Sequence, residues 1–322
     1  MEERAIVSGP GRASLYKRAM AALFCYHLLP ACLGDIDERP DALLARAVRT
    51  QVQGFVTHQA YVAQVLRGGP EARGQEARRE ARLALLCALD LNPVQALLAP
   101  PAAVGRGPSA FVDRWNAYNR MAPLGVNTQL DGQGALRRES PALPDRALRA
   151  AAQRSADIRA GIAASCVSVL ARGSTRSSPA DAPRTLQSLA RRLGCANEVL
   201  DLLAWWREEP ALVLSDAACR LGRSARQLQR DLARHGLGFA TLRQAARIEQ
   251  AQQALLGGAA SLTGIAHAAG FFDSAHFVHG WQRACGISPS QYRQLAGRQD
   301  TQGALCAPGA VRRGVDFVEN AQ

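Results

Sequence analysis

Arg226, Gln229 and Arg230 stand three and four positions apart in a stretch without proline, so a helix would carry all three on one face. The chemistry open to them is base reading. A guanidinium fork matches guanine O6 and N7 and a glutamine amide matches adenine N6 and N7, each pairing worth roughly 1–3 kcal/mol of discrimination. Such donors read sequence only when the helix bearing them starts at a fixed residue and is held from behind. The run from Leu214 to Gly236, LSDAACRLGRSARQLQRDLARHG, supplies both conditions. It reads as a short helix, a turn at Gly222, a capping Ser224 and a longer helix whose Leu228 and Leu232, with Leu221, pack inward. Gly222 is expected where the two helices approach closely. Val213 stands where a capping Ser or Thr would precede the first of them.

A second unit of the same form runs from Ser261 to Gly286, SLTGIAHAAGFFDSAHFVHGWQRACG. Ser261 caps its first helix, Gly270 makes the turn and Asp273 caps the helix that follows. Leu262, Ile265, Ala269, Phe271, Phe277 and Trp281 face inward by spacing, which leaves Ser274, Ala275, Val278 and His279 outside. That outer face is poor in donors, so weak base reading, backbone contact or thymine-methyl contact is expected there. Between the units FATLRQAARIEQAQQALLG reads as a helix from about Phe239 to Leu256, roughly 27 Å long at ~1.5 Å per residue. With its flanking turns it would set the two reading helices near the ~34 Å repeat of B-DNA. Either unit alone could be a plain surface helix pair. Two on one rod make that reading much weaker.

The stretch resembles the AraC/XylS family of bacterial transcription regulators. The residues that carry the likeness are LGRSARQLQRDLARHG, RIEQAQQALL, SLTGIAHAAGF, DSAHF and the closing GISPSQYR from Gly286 to Arg293. The resemblance implies two helix-turn-helix subdomains joined by a long helix, bound to promoter DNA and usually activating transcription. It places Arg226, Gln229 and Arg230 at the base contacts of the first recognition helix, and Ser274, Ala275 and His279 at those of the second. Arg247 and Arg293 fall at basic positions with structural or phosphate roles. His279 replaces the usual arginine, which implies weaker and pH-sensitive reading by the second unit. The likeness stops near residue 185. The β-barrel that many members place in front is not expected in this chain.

The remaining sequence bounds the answer without sharpening it. At 322 residues the chain is long enough for two domains. Residues 1–171 are expected to form a helical sensor or dimerisation domain of about five helices, 172–184 a linker, 185–298 the double helix-turn-helix domain and 299–322 a mobile tail. Helical spacing is read over 13–33, 41–66, 76–98, with Pro93 as a turn or kink, and 145–170. Thr185 to Gly194 reads as a helical lead-in to the first unit. Phe111, Trp115 and Tyr118 share one helical face. Core packing is the leading reading, with a ligand pocket or partner surface as the alternative. The net charge of +12 suits a polyanionic partner, but residues 1–196 hold +10 of it and 197–298 only +3. Eight scattered cysteines without a CxxC pair read as reduced, buried thiols of a cytoplasmic protein. No apolar run is long enough to span a bilayer.

No GxGxxG, P-loop, HExxH or GxSxG occurs, and no catalytic residue, metal ligand or cofactor is expected. The fold class is all-α, a helical N-terminal domain followed by two helix-turn-helix subdomains on a long linker helix. The leading function is a sequence-specific DNA-binding regulator of transcription, an activator. Its expected partners are promoter duplex, RNA polymerase, a small-molecule or protein effector at the N-terminal domain and a second copy as a homodimer, with no membrane. The rivals are a protein-binding adaptor that has lost DNA contact and an enzyme with an unrecognised helical domain.

Overall fold

The computed structural model describes residues 24–26, 36–57, 81, 85–86, 89–98, 107–122, 129–131, 136–138, 185–258 and 260–305. These residues are mostly helical, as expected for an all-α chain. In the N-terminal half lie α1 (Pro40–Val52), α2 (Pro93–Leu98) and α3 (Gly107–Met121). Two short antiparallel pairs accompany them: β1 (Phe24–Tyr26) with β2 (Phe55–Thr57), and β3 (Gln129–Leu130) with β4 (Leu136–Arg138). The C-terminal half runs through α4 (Leu186–Arg192), α5 (Asn197–Glu208), α6 (Leu214–Arg220), α7 (Ala225–Arg234), α8 (Phe239–Leu256), α9 (Leu262–Ala268), α10 (Ser274–Cys285) and α11 (Pro289–Leu305).

Several local expectations shift. The helix read over 13–33 gives way to a strand at β1, whose three residues are too few for alternation to show. The helix read over 41–66 ends at Val52. Gly54 follows at a point where a Cβ would lie 2.1 Å from the Ala284 carbonyl oxygen. Pro93 does not kink a helix; it opens α2, with the Asn92 side chain accepting from the Val94 N–H at 2.9 Å. At the far end α11 continues to Leu305, past the boundary read at residue 298. Tyr292 and Leu295 of its first turns are buried. The helix read over 145–170, the linker 172–184 and residues 306–322 lie outside the described residues. Of the cysteines that can be placed, Cys195 and Cys285 are buried, whereas Cys219 is exposed, against the expectation of buried thiols.

The packing joins the two halves. One core takes Leu44, Ala47 and Val48 from α1 together with Leu186, Leu202, Trp206, Leu228 and Leu232. The other takes Phe55, Val94, Leu97, Trp115 and Tyr118 together with Ile265, Phe271, Phe277, Trp281 and Tyr292. Linker helix α8 belongs to both: Leu242, Ala245 and Ala246 enter the first core, Ile248, Ala251 and Leu255 the second. Helix α1 packs along α8 and also touches α4 and α10. Among the described residues no helix is long and apolar enough to cross a membrane, and no group of three or more His, Cys, Asp or Glu could hold a metal ion.

One buried carboxylate ties the lead-in helix to the linker. Glu249 on α8 accepts from the Leu186 N–H at 2.5 Å, at the first turn of α4, whose cap is a Thr185–Ser188 box. Burial pushes the Glu249 carboxyl up to about 7, while that N–H and Arg207 pull it back toward the ionised form. A folded value above the ordinary 4.5 makes the folded state the tighter proton binder. Stability is then highest below the unfolded value, falls as pH rises through that window and levels off above the folded one. Glu249→Gln keeps an oxygen for the Leu186 N–H and removes the titration. Urea unfolding should show wild type losing on the order of 3 kcal/mol between pH 4.5 and pH 8 relative to the variant. A wild-type curve running level with that of the variant would mean that Glu249 takes up no proton on folding.

Candidate nucleic-acid interface

The first unit is built from α6, a tight turn and α7. Gly222 has φ +64, the left-handed conformation that closes α6, with the Gly222 N–H on the Cys219 carbonyl and the Arg223 N–H on that of Ala218, both at 2.9 Å. A Cβ on Gly222 would meet nothing within 4 Å, so the glycine is there for its backbone angle and not for the close packing expected. Ser224 and Gln227 form a reciprocal capping box: Ser224 Oγ accepts from the Gln227 N–H at 3.2 Å, and Gln227 Oε1 from the Ser224 N–H at 2.8 Å. Val213 caps α6 with no side-chain bond.

Leu228 and Leu232 are fully buried and hold α7 from behind. In the turn before α7 and on its outer face the arginines sort into two kinds. Arg223 pairs with Asp231 at 2.5 Å and Glu198 at 3.4 Å, and Arg234 pairs with Asp231 at 2.7 Å. Arg226, Gln229 and Arg230 are exposed and have no hydrogen-bond or ion-pair partner among the described residues. Two uncompensated guanidiniums and an amide thus stand on one face of a helix whose other charges are locally neutralised.

The second unit keeps the plan and changes the surface. Ser261 Oγ accepts from the Gly264 N–H at 3.0 Å, and Asp273 Oδ1 from the His276 N–H at 2.7 Å. Gly270 has φ +78, and here close approach is real: a Cβ would lie 2.7–3.0 Å from the Cβ, carbonyl oxygen and carbonyl carbon of Pro210, in the loop before α6. This turn therefore packs against the first unit. Phe277 and Trp281 are fully buried and hold α10 from behind. Ala275 and His279 are exposed, as expected, but Ser274 and Val278 are only half-exposed. Ser274 Oγ is occupied with Thr263 Oγ1 at 3.2 Å.

Two residues of this surface were missed in the sequence. Phe272 is 86% exposed, directly before the capping Asp273. The turn of the second unit holds one residue more between its glycine and its cap than that of the first, and only one of the two phenylalanines can be buried. Arg283 is exposed four positions beyond His279, on the same stripe as Ala275 and His279.

The two basic positions outside the recognition helices are engaged with the protein. Arg247 is half-buried with its guanidinium 6.0 Å from the Phe271 ring centroid; burial and then Arg243 lower its proton affinity. Arg293 donates from Nη2 to the Ala260 carbonyl at 2.8 Å and so ties α11 to the loop before α9. Of the aromatic trio, Trp115 and Tyr118 are buried in the core shared with the second unit, and the side chain of Phe111 lies outside the described residues.

Two capped turns, each followed by a helix buried on one side and bare on the other, define the helix-turn-helix class. Residues 217–295 match the family model described as "Helix-turn-helix domain", and this segment is a helix-turn-helix domain of the AraC type. Among solved structures, a DNA-binding transcriptional dual regulator from Escherichia coli K-12 is similar at 18% identity and a TM-score of 0.31, covering 32% of this chain and 95% of that one. The transcriptional regulator CdpR from Pseudomonas aeruginosa is similar at 16% identity and a TM-score of 0.29, covering 67% of this chain and 91% of that one. Overlap this low carries no argument. No curated protein matches the chain.

The two turn glycines yield a contrast. Alanine at either must adopt a left-handed angle, at roughly 1–2 kcal/mol. Gly270→Ala must also displace the Pro210 backbone, so its cost should be at least twice that of Gly222→Ala. Urea midpoints measure both. Equal costs would show that the Gly270–Pro210 approach does not hold the units together.

Proposed function

We propose that this chain is a sequence-specific DNA-binding regulator of transcription that engages two adjacent major-groove segments of a promoter. The first recognition helix, α7, reads bases through Arg226, Gln229 and Arg230. The second, α10, adds apolar and backbone contact through Phe272, Ala275 and His279, with Arg283 toward a phosphate. The observation that carries the reading is the sorting on α7, where arginines at the edge are neutralised by carboxylates and the three central donors are left bare. Buried apolar residues hold the helix from behind while its capped N-terminus, the end that meets base edges in this class, is solvent-facing. As an activator, the protein would touch RNA polymerase while bound, in the bacterial cytoplasm, as a homodimer. Residues 1–171 would take a small-molecule or protein effector.

A footprint on the promoter beside its own gene tests the first unit. Arg226→Ala and Arg230→Ala should each weaken binding by roughly five- to a hundredfold and relax preference at one base pair, in line with the worth of a bidentate contact. Protection unchanged in both variants would remove the claim that these residues read bases. Where an arginine touches phosphate instead, its loss should be felt across all sequences and the slope of log K against log salt should fall by about one.

Exposed Phe272 also favours a second reading, in which this corner docks a protein. Replacing thymine by deoxyuracil across the second segment decides between them. If Phe272 lies on thymine methyls, wild type should lose a few-fold in affinity on the methyl-free duplex and Phe272→Ser should lose nothing further. Indifference of wild type to the methyl groups, with full affinity in Phe272→Ser, would assign the ring to a protein partner.

A further inference from the structure

The two recognition helices end differently. The last carbonyls of a helix have no partner within it and must find one elsewhere. Helix α7 closes locally: the His235, Gly236 and Leu237 N–H groups bond back to Leu232 and Ala233. Helix α10 does not. After the Gly286 N–H returns to Gln282, its next three carbonyls take donors from the N-terminal half. Arg283 O receives the Gly54 N–H at 3.3 Å, Ala284 O receives Asn92 Nδ2 at 2.9 Å, and Cys285 O receives the Tyr118 hydroxyl at 2.7 Å.

Asn92 has no exposed surface, and both hydrogens of its amide are engaged. Its Nδ2 also donates to Thr50 O at 2.7 Å, in the last turn of α1, and its Oδ1 caps α2. One amide therefore joins the C-terminal ends of α1 and α10. The opposite end of α1 reaches the first unit. Asp41 Oδ2 lies 3.1 Å from Nδ1 of His235, the residue that ends α7, and Ala45 lies 3.4 Å from the Cβ position of Gly236. The His235–Asp41 contact has the distance of an ion pair without hydrogen-bond angles. The 13 residues of α1 span about 20 Å.

We propose that Asn92 is a positioning residue that, through α1, fixes the distance and angle between the two recognition helices. The linker helix α8 joins them covalently, the Gly270 turn meets Pro210, and α1 with Asn92 forms a further brace, without which the C-terminal end of α10 can pivot. This inference rests on the DNA-reading function proposed above, and it makes the N-terminal half part of the DNA-reading geometry.

The test uses the full chain and a duplex enriched from a random pool by wild-type protein. Affinity is measured for that duplex and for versions with one base pair added or removed between the two segments. Each base pair turns the second segment by about 34° and moves it ~3.4 Å. A braced protein should lose at least tenfold on either change. Asn92→Asp keeps the cap on Val94 but sets a carboxylate against two carbonyl oxygens. It should bind the original duplex about tenfold more weakly, as expected for broken buried bonds, and discriminate between spacings less than threefold. Tyr118→Phe removes one of the three donors and keeps its ring, so it should shift the spacing ratio in the same direction by less, and it serves if Asn92→Asp fails to fold. A uniform loss at every spacing, with the wild-type ratio kept, would make Asn92 merely structural and overturn the proposal.

Hydrogen exchange supplies an arm that needs no DNA. In Asn92→Asp or Tyr118→Phe, amides of residues 274–285 should exchange at least tenfold faster while those of 225–234 keep their wild-type rates. Equal acceleration in both helices, or in neither, would also overturn the brace. If wild type enriches no duplex, the DNA-reading function is what fails, and the exchange arm still decides on Asn92.

Discussion

Everything at this surface depends on burying one side of each recognition helix so that the other can stay bare. Leu228 and Leu232 do this for the first, Phe277 and Trp281 for the second, and none of the four is exposed. Each such side chain contributes on the order of 1.5–3 kcal/mol, enough together to hold a helix of ten or twelve residues that would not persist alone in water. Short helices need a large apolar partner, and the two units do not supply it all themselves. Residues of α1, α4 and α5 fill the remainder of the first core, and residues of β2, α2, α3 and α11 much of the second. The described residues of the N-terminal half therefore pack into the same two cores as the two helix-turn-helix units.

That arrangement explains why the heads differ. The first carries bare donors and closes its last turn with its own backbone. The second offers an exposed ring, a small side chain and an imidazole, and its last turn depends on Gly54, Asn92 and Tyr118. If the second unit binds weakly through its own surface, as proposed, it gains most from being held at a fixed distance from a stronger one. Preorganisation lowers the ordering cost of the second contact once the first has formed. In the proposed function weak chemistry and strong bracing would belong to one design, α7 supplying discrimination and α10 a contact at a set distance.

Legibility followed sequence separation. Turn glycines, caps and the linker helix are signals within a few residues of one another. Ser224, Ser261 and Asp273 cap as read, and Phe239–Leu256 is helical over the range read. Gly222 was legible as a turn but not for its reason, since an open left-handed position and a close approach leave the same letter. Phe272 was illegible because spacing marks apolar residues as inward, and a turn with one residue too many has nowhere to put the second ring. The brace was beyond reach. Asn92 meets Ala284 across 192 positions and Tyr118 meets Cys285 across 167, and nothing local announces such bonds. A buried Asn just before a proline reads only as a helix cap, which is one of its three bonds.

The distribution of charge follows the same logic. A net +12 invites the idea of a generally basic protein drawn to a polyanion, yet the helix-turn-helix segment has little of that excess. What matters for reading is which guanidiniums are already satisfied. Asp231 takes both Arg223 and Arg234, Glu209 takes Arg220, and the Ala260 carbonyl takes Arg293. These arginines have partners fixed by the fold, and drawing them onto DNA would break bonds already made. Arg226 and Arg230 have none among the described residues, so in the proposed function their pairing energy would be undiminished when a purine edge arrives. Under the proposed function, specificity would come from carboxylates that quiet the flanking cations as much as from the cations left free.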